Sequence, residues 1–156
     1  MGRSSTKLRD LPEIKASLRA QLPRIELLQD IRLASIPVAE FPPVLREIWI
    51  TLDALTVSVA DVKIVANSKV LHHILPELVP PIDRTYTYNL FYGRNMLSIS
   101  ERDAFKEILT RLHRVVLAQK ALLQSAVGAG WYSSETKVID NAVVGYVIET
   151  LRVEDE

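Results

Sequence analysis

The sequence predicts an all-α protein, a single compact bundle of about five to seven helices with a proline-rich connector. Three observations predict it. Apolar residues recur three and four positions apart in several separate stretches. Prolines and short polar side chains stand where those stretches begin, as helix starts require. No repeat, low-complexity block or long linker divides the series. Residues 1–10, MGRSSTKLRD, are polar and basic and lead into no continuous apolar run of the secretory kind, so they read as a flexible tail. The helical domain is expected over residues 11–152, and residues 153–156 form an acidic tail.

Asp10 precedes Pro12 as a capping region precedes a first-turn proline, and Leu18, Leu22, Ile25, Leu28 and Ile31 continue at helical spacing. Pro23, inside that run, predicts a kink or a division. Pro42 and Pro43 open a second helix whose Leu45, Ile48, Trp49, Leu52 and Leu55 share one face. The following TVSVADVKIVANS is rich in β-branched residues. Its Val59, Val62, Ile64 and Val65 do not alternate strictly with polar neighbours, so helix is expected to continue through it. Asn67 or Ser68 then caps a short helix over residues 69–75, which ends before Pro76.

Residues 71–93, LHHILPELVPPIDRTYTYNLFYG, interrupt this regularity. Pro76, Pro80 and Pro81 lack amide hydrogens and hold the chain extended, a stiff connector with Asp83 placed to cap whatever helix follows. Tyr86, Leu90 and Phe91 would face the core and Gly93 would end that helix, although TYTYN also alternates like a strand. Ser98 or Ser100 caps a long amphipathic helix. Phe105, Ile108, Leu109, Leu112, Val115, Val116, Leu122 and Leu123 line one side, with Lys106, Arg111 and Arg114 on the other, until Gly128 and Gly130 stop it. His113, between two arginines, reads as a surface residue. The last helix opens at Ser133 or Ser134 with Glu135 in its first turn. Over residues 138–148 apolar side chains fall on nearly every side, which predicts a central, surrounded helix in which Asp140 and Asn141 need partners.

Composition narrows the chemistry. A 156-residue chain buries about two-thirds of its unfolded surface and needs no covalent staple. The absence of cysteine removes disulfides, thiolate nucleophiles and cysteine-ligated metals, and fits a reducing cytoplasm. Lys plus Arg and Asp plus Glu are equal at 19 each, so the whole molecule lacks the positive field that draws nucleic-acid binders, and only a local basic patch remains open. The most apolar run, residues 48–60, is interrupted by Asp53 and falls short of the roughly 20 residues of a membrane span. A soluble, cytoplasmic protein without a membrane partner is expected. Neither a G-x-S-x-G elbow nor a phosphate-cradling glycine loop occurs, and no cofactor is expected. Adjacent His72 and His73 point about 100 degrees apart on a helix, a poor arrangement for one metal ion, so no metal is expected either.

The ionisable residues suggest a site. Lys69 stands three and four residues before His72 and His73, Asp83 and Arg84 follow the connector, and Lys137, Asp140 and Asn141 are neighbours on the last helix. If the two regions meet, Arg84 or Lys137 neutralises Asp83 or Asp140. The cluster then recognises a small anionic ligand or a protein partner, or it fastens the bundle internally. An enzyme reading makes His72 the acid or base, oriented by Asp83, with Arg84 or Lys137 stabilising developing negative charge. A third reading rests on V-G-x-G at residues 127–130, which is similar to the hairpin of helix-hairpin-helix DNA-binding proteins and would add Arg111, Arg114 and Lys120 as phosphate contacts. Intervening Trp131 and Tyr132 and the zero net charge weigh against nucleic acid as the partner. The aromatic group Tyr86, Tyr88, Phe91, Tyr92, Trp131 and Tyr132 leaves a homo-oligomer open beside ordinary core packing.

SKVLHHILPELVPPIDRTYT with the downstream KVIDNAVVGY resembles uncharacterised bacterial helical proteins that pair an S-K-x-L-H-x-x-x-P-x-x-x-P-x-x-D-R motif with a later K-x-I-D-N. The resemblance covers about a quarter of the chain. It implies a small helical protein in which Lys69, His72, Pro76, Asp83, Arg84, Lys137, Asp140 and Asn141 belong to one shared feature, and it carries no activity.

Overall fold

The structure, a computed structural model, describes residues 8–128 and 130–151. It is all-α: seven α-helices and no strand occur among the described residues. They are α1 (Leu11–Leu28), α2 (Phe41–Ala54), α3 (Ile64–Ile74), α4 (Asn89–Tyr92), α5 (Glu101–Ala118), α6 (Lys120–Ala126) and α7 (Glu135–Tyr146). Residues 1–7 of the expected N-terminal tail and the acidic C-terminal tail lie outside the described residues. Leu8 pairs with Ser58, and Arg9 donates its backbone N–H to Val57 O at 2.9 Å.

α1 runs through Pro23 without the division that was one of the two expected outcomes. An interior proline costs about 3 kcal/mol. Just beyond it Ile25 and Leu28 are buried against α2, and burial of two such side chains, at about 1.5–3 kcal/mol each, offsets that cost. α2 starts at its prolines and packs Ile48 and Leu52, both fully buried, into the centre of the core. It contacts α1, α3 and α5, so the central element is α2 with α5 rather than the last helix. Trp49 of α2 meets Phe105 of α5 with ring centroids 5.5 Å apart.

The helix does not continue through TVSVADVKIVANS. α2 ends at Ala54, residues 55–63 are extended or bent, and α3 begins at Ile64. β-branched side chains lose rotamer freedom in a helix, and here they are used in extended chain, where Val57 is buried and Ser58 bridges Leu8. Asn67 and Ser68 are therefore inside α3 and cap nothing. Asn67 Nδ2 donates to Leu52 O and Leu55 O at 2.8 and 2.9 Å, tying α3 to the end of α2. Ser68 Oγ accepts from Ile82 N at 3.0 Å. The cap of α3 comes from another helix: Glu101 Oε2 accepts from Lys63 N at 2.8 Å and Ile64 N at 2.7 Å.

Ser100 caps α5 by accepting from Asp103 N. The long helix expected as far as Gly128 breaks at Gln119, and Val115 and Leu122, assigned to its apolar side, are exposed. His113 is buried, not superficial: its Nε2–H donates to Ile36 O at 2.8 Å, and its ring stacks on Phe41 at 4.0 Å. α7 begins at the Ser134 cap but is packed on one side only. Val138, Ile139 and Val143 are buried, whereas Tyr146, and Ile148 in the turn that follows α7, are exposed. Its apolar residues count composition, and the α2–α5 pair already fills the centre.

Candidate functional site

The connector holds the site together. Asp83 caps the turn that follows it, accepting at Oδ1 from Thr85 N at 2.7 Å and Tyr86 N at 3.1 Å. That turn is a π-helical one over Arg84–Tyr88, continued by α4 and closed by Gly93 at φ 66°. A left-handed φ there suits glycine. Tyr86, Leu90 and Phe91 pack against the core as expected, with Tyr88 buried most deeply. At the other end of the connector Thr136 Oγ1, in the first turn of α7, donates to Pro76 O. This bond joins residues 60 positions apart. It brings the start of α7 beside the end of α3.

Between them lies a cleft of about 560 Å³, within the roughly 300–1,000 Å³ usual for small-ligand sites. α3 contributes Lys69, His72 and His73, the connector Pro76, Pro81 and Asp83, and α7 Lys137, Asp140 and Val144. Tyr86, Gly130, Trp131 and Ser133 complete it. Five of the expected residues are thus together: Lys69, His72, Asp83, Lys137 and Asp140. Arg84 is not with them. It is exposed and lines another cleft with Tyr88 and Glu101. Asn141, one position past Asp140 and turned from it by the helix, does not line the cleft.

The charges in the cleft are paired. Lys69 Nζ lies 3.3 Å from Asp83 Oδ2, and Lys137 Nζ lies 2.6 Å from Asp140 Oδ2. Arg84 neutralises neither carboxylate. His72 has only 9% of its surface exposed. Its Nδ1 is 2.8 Å from Val79 O, and because a carbonyl only accepts, Nδ1 carries the hydrogen and Nε2 the lone pair. Thr136 Oγ1 stands 3.4 Å from the same Nδ1. Burial lowers the His72 pKa below the ordinary 6.5, opposed by the Val79 hydrogen bond and the charge of Asp140. The ring is therefore neutral at pH 7 and offers Nε2 as an acceptor.

This geometry corrects the acid–base pair. Asp83 spends Oδ1 on backbone amides and Oδ2 on Lys69, and the group that orients His72 is the Val79 carbonyl. The glycine corner is also occupied: Gly128 N, which a phosphate-gripping hairpin would offer outward, donates to Tyr132 O at 2.8 Å. Among the described residues no group of three or more His, Asp or Glu is arranged to hold a metal ion, and no helix is long and apolar enough to cross a membrane. Sequence reasoning missed Thr136, Ser133 and Trp131. Thr136 had a local signal, a hydroxyl two positions past a serine cap, but its acceptor lies in a distant segment. Trp131 is 86% exposed on the lip of the cleft.

The chain matches no protein-family model, no curated protein and no solved structure to a significant degree.

Proposed function

We propose that the chain is a non-catalytic binding protein whose cleft, between the end of α3, the connector and the start of α7, takes a small anionic ligand that also brings a hydrogen-bond donor. The observation that carries this reading is the convergence of two sequence-distant segments on one cleft, with His72, its Nδ1–H held by Val79 O, among the lining residues. Lys69 and Lys137 supply the attraction for an anion. Each already holds a carboxylate, so the fixed charges cancel and a bare anion gains little. A ligand with a donor compensates, because it can satisfy His72 Nε2 or the carboxylate its anion releases. Amino acids and hydroxycarboxylates have this chemistry. Trp131, exposed at the lip, is the side chain that such a ligand, or a protein partner, would cover.

The test is a thermal-shift and calorimetric screen of amino acids and hydroxycarboxylates. A ligand at 100 times its dissociation constant adds about 2.7 kcal/mol of stability. Binding should quench or shift Trp131 fluorescence and be lost in Lys137→Gln and His72→Asn. Failure of every such compound to shift the midpoint would sink the reading. General-base catalysis by His72 alone is the second reading, favoured by its unprotonated Nε2 at neutral pH. Turnover of a bound hydroxycarboxylate, lost in His72→Asn while binding persists, would select it.

A further inference from the structure

A second cleft, of about 620 Å³, lies between the start of α2 and one ridge of α5. Its cationic wall is made by α5. Arg102, Lys106, Thr110 and Arg114 follow one another at four-residue intervals, so they stand in a row about 18 Å long at 1.5 Å per residue. Arg46 of α2 adds a fourth positive charge, and among the described residues no Asp or Glu lines the cleft.

None of these four cations makes an ion pair or a side-chain hydrogen bond with another described residue. Lys15, Arg19, Arg84 and Lys120 are likewise without an ion pair among the described residues, but the other pairings show how a cation is answered in this fold. Arg24, Arg32, Lys63, Lys69, Arg111 and Lys137 each lie within 4 Å of a carboxylate. In a chain of equal acidic and basic content, a row of unanswered like charges is a repulsive arrangement that an anion would relieve. The opposite wall is apolar: Val38, Pro42 and Pro43 are exposed there, over a floor of Phe41 stacked on His113. His113 is anchored to Ile36 O, which fixes that floor.

We propose that this cleft binds a small organic ligand carrying two or more phosphate groups beside an apolar or planar portion. The phosphates lie along Arg102, Lys106 and Arg114, with Arg46 closing over them, and the remainder rests on the shelf of Val38, Pro42 and Pro43. Guanidinium groups match phosphate oxygens bidentately, and Thr110 adds a hydroxyl donor. The cleft volume suits a small molecule, and the zero net charge of the whole chain disfavours a long nucleic acid.

The experiment is calorimetry with pyrophosphate, ATP and a single-stranded oligonucleotide. Both pyrophosphate and ATP should bind, ATP the more tightly because only it reaches the shelf. The double variant Lys106→Gln/Arg114→Gln should weaken ATP at least tenfold while its circular dichroism stays that of the parent chain. Arg111→Gln, which removes a cation outside the cleft, and Lys137→Gln, in the first cleft, should leave ATP binding unchanged. The proposal is overturned if neither phosphate compound binds at millimolar concentration, if the double variant binds ATP as the parent does, or if ATP is no tighter than pyrophosphate. Tighter binding of the oligonucleotide than of ATP overturns it in favour of a nucleic-acid surface.

Discussion

His72 donates its Nδ1 hydrogen inward and is largely shielded from water, and its titration follows from that. The unfolded chain takes up a proton near the ordinary 6.5, whereas the folded ring takes it only at lower pH. Between those values the unfolded state binds more protons, so folding stability falls as pH drops below about 6.5 and is unaffected by this group above it. His72→Asn, which keeps a donor for Val79 O, should flatten that decline when urea unfolding is compared at about pH 7 and about pH 5.5. Tyr88 makes the opposite kind of claim. Its hydroxyl is buried without a hydrogen-bond partner among the described residues, and leaving it so costs free energy. Tyr88→Phe should therefore unfold at equal or higher urea, by up to about 1 kcal/mol; a loss above that would mean the hydroxyl is bonded. Glu135 is buried too, with both carboxylate oxygens lacking hydrogen bonds among the described residues and Arg32 Nη2 3.7 Å away, shared with Glu77 at 3.5 Å. Arg32→Met should cost about 2 kcal/mol, more than the at most 1 kcal/mol expected for Arg24→Met, which breaks an exposed pair. Adding Glu135→Gln should recover most of the loss. The Asp83 cap is legible in the sequence because its acceptors serve amides two and three residues on. The burial of His113 is not legible, because its partner is 77 residues away and its neighbours Arg111 and Arg114 advertise solvent.

At the scale of the element, Glu101 binds one helix to the start of another. It stands in the first turn of α5 and fills the vacant amides of α3, which has no side-chain cap of its own. Glu101→Ala should cost about 1–2 kcal/mol and speed amide exchange at Lys63 and Ile64 above all other positions. Unchanged exchange at those two amides would contradict the cap. The helix starts at Pro12, Pro42, Ser100 and Ser134 are readable in advance because each depends on a local feature, a first-turn proline with no amide hydrogen to satisfy or a serine oxygen that accepts from the amide three residues on. The extended stretch before α3 and the break at Gln119 are not. Both occur where apolar periodicity runs on past the point at which tertiary packing turns the chain, and periodicity is blind to that turn. The placement of α7 fails for a related reason: an apolar wheel predicts burial, but other helices had taken the centre.

At the scale of the molecule one continuous set of buried residues runs from α1 to α7, including Leu33, Ile48, Leu71, Phe105 and Val143. A shared core predicts cooperative unfolding. The two tryptophans report from different places, Trp49 against the core and Trp131 from the lip of the cleft. Single-tryptophan variants Trp49→Phe and Trp131→Phe should give coincident urea midpoints after allowance for each substitution's own effect. A separate early transition seen only by Trp131 would show α6 and α7 leaving as a unit. The bundle and its connector are legible from the sequence; the meeting of residues 69–83 with residues 137–140 is visible only as a matching of residue types, since the Thr136 to Pro76 bond that enforces it has no sequence signature. Asp83 gives that meeting a mechanical character. One of its oxygens serves as hinge pin for the backbone corner and the other as a latch for Lys69. The latch can be lifted by an arriving guest while the pin stays seated, so the doorway can change hands without the wall around it moving.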